Sequence, residues 1–478
     1  MNIHDTLLLF GASGDLSRRY LFPSLVHLMR DRLLPEGFRL VAIGRQAFDE
    51  EGFRDWLRTE LGSQSVRNRE ALNELLARTH YVSVDLNDPS AMSSLLSSYA
   101  DRPCVSYLAI PPNLFVPTCE GLQAAGLLDA PSRLVLEKPI GHDLASSRGI
   151  NAALRGFLDE SRIFRIDHYL GKAPVQNLLA LRFSNTLMEA VWHNKWIESV
   201  DIMVAETAGV DGREGYYAQY GALRDMVQNH MLQLLALVAM EPPSSLDADS
   251  LRDEKRKVLR ALRPMGAADA ARDSVRGRYQ SGVVDGSAVP GFTDPSDCET
   301  FVALRAYIDN WRWAGVPFRL VTGKRLAQRT TEVVVSFKAV SHWIFDRPPA
   351  DKGVPNRLVM QLQPEENIGL CLMGSLAAPE WGATELQSLS LDLSMTATPQ
   401  RRIAYERLLL DALHGNQALF VTGDEVEAAW SWIDSISDAW LTAGVATQDY
   451  AAGSWGPAEA ADFLPVTVRD KMSRKTSP

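Results

Sequence analysis

The chain has 478 residues, of which 46% are hydrophobic and 23% charged, as is usual for a globular protein of one large or two ordinary domains. This composition excludes collagen-like, coiled-coil and intrinsically disordered chains. The formal net charge of -10, without a long basic run, argues against nucleic acid as a partner, so any anion-binding site must concentrate its cations locally.

The first part of the chain alternates short apolar runs with helical patterns. Thr6–Phe10 predicts a buried strand that stops at Gly11, Leu16–Leu33 has apolar residues at helical spacing, and Arg39–Ile43 predicts a second strand. Further strands are predicted at Tyr81–Val84, Val105–Ile110 and Arg133–Leu136, with helices at Phe53–Arg78, Ser90–Tyr99 and Val116–Gly126. Residues 1–167 are therefore predicted to form an α/β Rossmann-like, doubly wound domain.

The pattern changes in residues 168–478, where strand candidates follow one another without regular helices between them. The predicted strands are Ser199–Glu206, Phe301–Asp309, Thr331–Phe337, Arg357–Gln363 and Glu385–Leu393, and the predicted helices are Leu223–Ala239 and Ile403–Leu413. Ala267–Val289 is interpreted as a mobile loop and Arg469–Pro478 as a frayed tail. The second domain is therefore predicted to be α+β with a large, mostly antiparallel sheet.

A glycine-containing turn, Gly11-Ala12-Ser13-Gly14-Asp15-Leu16, joins the first strand to the first helix. Glycine lets the backbone approach a pyrophosphate, and a helix N-terminus favours negative charge. The spacing is GxxG and not GxGxxG, so a tight turn without a ligand is the alternative interpretation. The second strand ends in Gly44-Arg45, and an arginine matches the 2′-phosphate of NADP, although Arg45 alone does not exclude NAD or a solvated loop.

Lys138, in Glu137-Lys138-Pro139, follows a predicted strand at the edge where ligands bind in such sheets. A lysine there can reach both a nicotinamide and a substrate hydroxyl, and a plain surface lysine is the alternative.

The segment RIDHYLGK packs Arg165, Asp167, His168, Tyr169 and Lys172 into eight residues between the two predicted domains. If the segment is helical, His168 and Lys172 share one face and could bind an anion, whereas Asp167 points elsewhere. A solvated charge cluster is the competing interpretation.

Two further segments supply groups for chemistry. His230 ends the polar start of an otherwise apolar helix, and a neutral histidine held by a carboxylate suits removal of a hydroxyl proton. A lone histidine there is also typical of a protein core. Lys324 and Arg329 lie in a basic loop, as phosphate recognition requires.

The four cysteines lie far apart, without a CxxC pair or metal-ligand spacing, so we expect free thiols in a reducing compartment and no bound metal. The N-terminus lacks the features of a signal peptide, and the apolar stretch Met231–Met240 is too short to span a bilayer. We expect a cytoplasmic protein without a membrane partner.

Taken together, these motifs resemble the glucose-6-phosphate dehydrogenase family of the bacterial type, over about Thr6 to Leu464. The resemblance rests on six motifs in the family's order: GASGDLSRRYLFPSL, EKPIGHDL, RIDHYLGK, RDMVQNHMLQLLALVAMEPP, YIDNWRWAGVPFRLVTGKRL and YERLLLDALHGNQALF. It implies oxidation of carbon 1 of glucose 6-phosphate with hydride transfer to NADP, and a homodimer or homotetramer.

The resemblance also implies a role for each candidate residue. His230 is the general base, and Asp167 orients it. Phosphate-binding positions are His168, Tyr169, Lys172, Lys324 and Arg329; sugar-binding positions are Lys138, Glu206, Asp225 and Gln363; cofactor positions are Gly11, Ser13, Gly14, Asp15, Leu16, Arg45 and Lys138.

Two alternatives remain open. Another sugar dehydrogenase, resembling the glucose–fructose oxidoreductase group, would share the EKP turn but not RIDHYLGK or the distant Lys324 and Arg329. An inactive NADP-binding sensor would not need both Asp167 and His230.

Overall fold

The structure, a computed structural model, describes residues 3–62, 68–210, 212, 214–293, 297–342, 356–376, 385–393 and 403–475. Its strands are β1 (Thr6–Phe10), β2 (Arg39–Gly44), β3 (Thr79–Ser83), β4 (Cys104–Leu108), β5 (Arg133–Leu136), β6 (Ile163–Ile166), β7 (Ile197–Ala205), β8 (Ser274–Gln280), β9 (Gly282–Val284), β10 (Ser287–Val289), β11 (Phe301–Ala306), β12 (Phe318–Gly323), β13 (Thr330–Phe337), β14 (Arg357–Gln363), β15 (Asn367–Leu376), β16 (Glu385–Asp392), β17 (Phe420–Val421) and β18 (Thr447–Ala451).

The α-helices are α1 (Phe22–Arg30), α2 (Glu50–Leu61), α3 (Arg69–Ala77), α4 (Pro89–Leu96), α5 (Phe115–Ala124), α6 (Leu144–Arg155), α7 (Ala173–Phe183), α8 (Thr186–Val191), α9 (Glu214–Ala222), α10 (Leu232–Ala239), α11 (Ala248–Arg260), α12 (Ala267–Asp273), α13 (Ala404–His414), α14 (Gly423–Ala443) and α15 (Val466–Lys475). Two π-helices, Ser17–Leu21 and Leu223–Met231, lead directly into α1 and α10. No helix in the described ranges is long and apolar enough to cross a membrane.

The chain divides into two compact units, each built from three stretches of sequence. The first unit contains Met1–Ala173, Pro243–Glu254 and Gln400–Trp430, and the second contains Pro174–Pro242, Lys255–Pro399 and Ser431–Pro478. The division into domains 1–167 and 168–478, made from the sequence, remains a prediction.

The first unit is built on a seven-stranded sheet of order β17-β6-β5-β4-β1-β2-β3. The six strands from β6 to β3 are all parallel, and only β17 runs antiparallel to its neighbour. The central strand β1 is fully buried, as a parallel strand covered on both faces should be. This order is that of a doubly wound nucleotide-binding sheet, and the predicted Rossmann-like fold is confirmed.

The second unit contains a nine-stranded sheet of order β16-β15-β14-β13-β7-β12-β11-β8-β18. Only the β7–β12 and β8–β18 pairs are parallel, which confirms the predicted mostly antiparallel α+β architecture. Aromatic side chains, including Tyr217, Phe301 and Tyr450, form a buried cluster in this unit.

Two sequence predictions are wrong. The stretch Ala267–Val289, predicted as a loop because of its Gly, Ala, Ser and Asp content, forms α12 and the strands β8, β9 and β10. Its core residues Val275 and Tyr279 are buried, so long-range packing overrides the local composition. The tail predicted as frayed, Arg469–Pro478, is helical to Lys475 as part of α15, whose Val468 is buried. Residues 476–478 lie outside the described ranges.

Candidate active site

The glycine turn that follows β1 is built for close backbone approach. Gly11 has a φ of 76°, and a Cβ there would lie 2.2 Å from the carbonyl oxygen of Ala109. The amides of Gly11 and Ala12 both donate to the carbonyl of Ile43, at 2.9 and 3.0 Å. Only glycine satisfies these constraints at position 11, so the turn presents bare backbone at the carboxyl edge of the sheet.

The other predicted cofactor residues lie around this turn. A Cβ at Gly44 would be 3.5 Å from the Ser13 hydroxyl, which places Ser13 beside the end of β2, where the exposed Arg45 follows. Asp15 is exposed and forms ion pairs with Arg18 and Arg19, at 3.0 and 2.7 Å. These arginines offset the negative charge that Asp15 brings to the turn.

Lys138 follows β5 at the same edge, next to a buried carboxylate that the sequence did not single out. Glu137 is 7% exposed and accepts a hydrogen bond of 2.6 Å from the hydroxyl of Tyr107 on β4. The hydroxyl of Tyr405 also lies close to Glu137. Burial raises the pKa of Glu137 to about 6, while the bond from Tyr107 acts in the opposite direction.

RIDHYLGK is not helical, contrary to the assumption behind its shared face. Its first residues end β6, and tight turns follow, with Leu170 N donating to Asp167 O and Lys172 N to Tyr169 O. Asp167 is 2% exposed, and its Oδ1 accepts from the Tyr169 amide at 2.9 Å. The strand and the turns bring the polar side chains together, and helical spacing does not.

Side-chain contacts give His168, Tyr169 and Lys172 a defined arrangement. The Lys172 ammonium lies 3.4 Å from the Tyr169 ring centroid, and the His168 ring stacks on Tyr405 with centroids 5.9 Å apart. Tyr405 therefore contacts both Glu137 and His168. The sequence offered only the motif YERLLLDALHGNQALF as a signal for it.

Arg165, also in this motif, has a structural role. It is 1% exposed and pairs with Glu160 at 2.6 Å, and Glu160 in turn accepts from the Gly423 amide at 2.9 Å. Arg165 and Glu160 therefore link β6 to the start of α14.

In the second unit, strand register brings four predicted residues to one edge of the sheet. Gly323 and Thr330 both pair with Ala205, and Thr331 pairs with Gln363. Gln363 is itself one of these paired residues. The other three are next to a paired residue in sequence: Glu206 follows Ala205, Lys324 follows Gly323 and Arg329 precedes Thr330. Lys324 forms an ion pair with Glu206, and the Thr331 hydroxyl donates to the Gln363 side chain at 3.3 Å.

Asp225 and His230 lie on the π-helix Leu223–Met231 in the same unit and are 6% and 1% exposed. Asn229 supports both residues: its side chain donates to the Asp225 carbonyl at 2.9 Å and accepts from the His230 amide at 2.6 Å. π-Helical turns expose backbone groups that need such partners and recur at functional sites. Asn229 was visible in the sequence as part of a motif, without an assigned role.

Tyr217, on α9, is a further residue that sequence reasoning missed. It is fully buried, and the Lys324 ammonium lies 5.6 Å from its ring centroid. Burial raises the pKa of its hydroxyl, as do the nearby carboxylates of Asp225, Glu206 and Glu299. The tyrosine thus lies between the sheet edge and the helix that carries His230.

The structure assembles the predicted residues as two sets. One unit holds the cofactor residues with Lys138, Asp167, His168, Tyr169 and Lys172; the other holds Glu206, Asp225, His230, Lys324, Arg329 and Gln363. The pairing of Asp167 with His230 remains a prediction.

Comparison with known proteins covers nearly the whole chain. The family model for the NAD binding domain of glucose-6-phosphate dehydrogenase matches residues 8–177, and the model for its C-terminal domain matches residues 179–470. The chain is 46% identical over 473 residues to glucose-6-phosphate 1-dehydrogenase of Zymomonas mobilis, covering 96% of this chain and 97% of the relative.

Solved structures agree. The enzyme from Mycobacterium avium is 35% identical, with a TM-score of 0.84 and 97% of both chains covered. A glucose-6-phosphate dehydrogenase in complex with glucose 6-phosphate is 33% identical, with a TM-score of 0.86, over 97% of this chain and 98% of that one.

The raised pKa of Glu137 gives a testable pH dependence of stability. The folded protein holds this proton up to about pH 6, whereas an unfolded carboxyl loses it near its ordinary value of 4.5. Stability contributed by the protonated form is therefore lost as pH rises through this window. At 1.36 kcal/mol per pKa unit, Glu137→Gln should gain about 2 kcal/mol relative to wild type between pH 4.5 and 7.

The measurement is urea unfolding of both proteins across this pH range, with the exposed Glu74→Gln as the matched control. A stability difference between Glu137→Gln and wild type that does not change with pH would contradict the assignment.

Proposed function

Because the chain belongs to the glucose-6-phosphate dehydrogenase family, we propose that it oxidises glucose 6-phosphate at carbon 1 to 6-phosphogluconolactone, the first oxidative step of the pentose phosphate pathway. The observation that carries the proposal is the match of both family domains, in order, over residues 8–177 and 179–470. This match favours the proposed activity over the two alternatives, another sugar dehydrogenase and an inactive NADP-binding sensor.

In the proposed reaction, His230 takes the proton of the carbon-1 hydroxyl. In the same step the carbon–hydrogen bond breaks, its electron pair leaves carbon with the hydride, and the C–O bond becomes a carbonyl. His230 is 1% exposed and Asn229 fixes its backbone amide, so the base is held in place and shielded from water. Asp167 is proposed to orient the ring and to stabilise its protonated form.

The substrate's phosphate is proposed to bind His168, Tyr169, Lys172, Lys324 and Arg329. Stacking on Tyr405 orients His168, and the ring of Tyr169 lies beneath the Lys172 ammonium, so two donors are preorganised. Lys138, Glu206, Asp225 and Gln363 are proposed to bind the sugar hydroxyls. The ion pair between Lys324 and Glu206 keeps both charged groups satisfied before substrate arrives.

The chain uses a nicotinamide cofactor, and the glycine turn fits one, since position 11 has no room for a Cβ. Gly11, Ser13, Gly14, Asp15 and Leu16 would hold the pyrophosphate, with Lys138 at the nicotinamide end. When bound, the cofactor supplies the acceptor for the hydride. We propose NADP as the preferred form because the exposed Arg45 follows β2, with NAD as an allowed alternative.

We further propose a homodimer or homotetramer in the cytoplasm. The strand β16 lies at the edge of the nine-stranded sheet, and Leu389 and Leu391 on one of its faces are 48% and 46% exposed. The four cysteines are free, as expected in a reducing compartment.

The substrate assignment is tested by steady-state kinetics with glucose 6-phosphate and free glucose. Efficient turnover is expected only with the phosphate ester, and Lys172→Ala should raise its KM much more than it lowers kcat, since the phosphate contact is present in ground and transition states. The exposed Lys195→Ala is the control. Equal efficiency on both sugars would refute the substrate assignment. An unaltered KM in Lys172→Ala would refute the phosphate-binding role of Lys172.

The role of His230 is tested by His230→Ala. Loss of the general base should lower kcat about 10²–10⁴-fold while the protein stays folded. His80→Ala, which changes a surface histidine paired with Glu50, should leave kcat unchanged. A normal turnover number in His230→Ala would eliminate it as the base.

Cofactor preference is tested by Arg45→Ala. Losing the guanidinium should weaken NADP binding at least about tenfold and change NAD binding little, since only NADP carries the 2′-phosphate. Arg102→Ala, which removes an exposed arginine that pairs with Asp5, is the control. Equal weakening for both cofactors in a binding titration would argue against 2′-phosphate recognition.

A further inference from the structure

The helix that carries Asp225 and His230 begins at a carboxylate from a distant part of the second unit. Its N-cap residue, Ala222, contributes no side-chain bond. Instead, Oε1 of Glu299 accepts from the Leu223 amide at 3.0 Å, and the Glu299 carbonyl accepts from the Ala222 amide at 3.0 Å. Glu299 is 7% exposed and its second oxygen lies 3.6 Å from the Arg276 guanidinium.

This contact is built into the backbone. Gly221 has a φ of 63°, and a Cβ there would lie only 2.3 Å from Oε1 of Glu299. A side chain at position 221 would therefore displace the carboxylate from the start of the helix. The sequence holds glycine here because the carboxylate has to come this close.

The other end of the same helix is held with equal completeness. Arg182 donates to the carbonyls of Leu237 and Met240, each at 2.7 Å. The indole of Trp192 donates to the Val238 carbonyl at 2.8 Å, and that of Trp313 to the Ala239 carbonyl at 2.7 Å. The last four carbonyls of a helix lack partners within it, and here three buried side chains satisfy all four that run from Leu237 to Met240.

The two charges have the signs that the helix favours, with a carboxylate at the N-terminus and a guanidinium at the C-terminus. Both side chains are buried, and burial raises the pKa of Glu299, while the bond from the Leu223 amide and the charge of Arg276 act in the opposite direction. Burial lowers the pKa of Arg182 to about 9, which still leaves it charged at neutral pH. A displacement of the helix along its axis would break bonds at both ends.

We propose that Glu299 and Arg182 are positioning residues that hold His230 at its working distance from the substrate's carbon-1 hydroxyl. The proposal rests on the proposed function, in which His230 is the base. Of the residues proposed to bind substrate, Asp225 lies on this helix, whereas the phosphate-binding residues lie on other elements. A displaced helix would therefore impair proton removal more than substrate binding. A misplacement of about 1 Å can cost on the order of 10²-fold in rate.

The test compares Glu299→Ala, Glu299→Gln and Arg182→Met in steady-state assays with glucose 6-phosphate and its carbon-1 deuterated form. Glu299→Ala and Arg182→Met should lower kcat at least about tenfold, and KM for glucose 6-phosphate should change by a smaller factor than kcat. Because carbon–hydrogen cleavage becomes slower, the deuterium isotope effect on kcat should rise. Glu299→Gln keeps an acceptor oxygen and should recover part of the lost rate.

Two further variants separate positioning from general loss of stability. Asp201→Asn disrupts a buried pair with Arg319 in the same unit, away from the helix, and should keep the wild-type kcat and isotope effect despite its lower stability. Trp313→Phe keeps the packing and removes one donor at the helix end, so it should show a smaller version of the effect expected for Arg182→Met. It takes the place of Arg182→Met if that variant does not fold.

A folded Glu299→Ala enzyme with the wild-type kcat and isotope effect would overturn the proposal. So would a fall in kcat with an unaltered isotope effect, because that result indicates a smaller fraction of active enzyme. Failure of the proposed function is distinct: there, wild type would not turn over glucose 6-phosphate, or His230→Ala would remain fully active.

Discussion

The bond between the Glu299 carboxylate and the Leu223 amide is the contact on which the active half of the second unit depends. A buried carboxylate is stable only where donors and cations surround it, and the start of a helix with the nearby Arg276 provides both. The cost of burying this charge is offset only when the helix occupies one position. The need to stabilise this buried charge therefore fixes the position of the helix and, with it, the positions of Asp225 and His230.

The first unit uses the same physical logic at its own carboxyl edge. Glu137 is buried against two tyrosine hydroxyls, and Arg165 is buried against Glu160. The Tyr107–Glu137 bond joins β4 to the end of β5, and Glu160, which pairs with Arg165, also accepts from the distant Gly423 amide. Each contact leaves a neighbouring polar residue, Lys138 or Asp167, in a defined place. Residues that bind substrate in the proposed mechanism thus stand next to residues whose burial fixes the backbone beneath them.

This division explains what the sequence could predict. Strands such as β1 and β14, the glycine turn at Gly11 and the mixture of folds in the two units follow from local apolar patterns and turn chemistry. The condition that RIDHYLGK be helical is not met, because Arg165 pairs with Leu136 in the sheet and tight turns follow, which spacing alone cannot reveal. Ala267–Val289 was misread because β8 is stabilised by β11 and β18, far along the chain. Glu299 and Tyr405 escaped notice because their partners are also remote.

The same reasoning separates two kinds of charged residue in the candidate site. Glu299 and Arg182 form hydrogen bonds with backbone groups of a helix. These backbone groups cannot move away unless the helix unfolds. Lys324 and Glu206 satisfy one another through side chains alone, and Glu206 is 34% exposed. In the proposed mechanism, such a pair exchanges its partner for a sugar hydroxyl or a phosphate oxygen through side-chain movement, without a change in the backbone. In the proposed mechanism, the fixed charges of Glu299 and Arg182 position His230, and the charges of Lys324 and Glu206 bind the substrate.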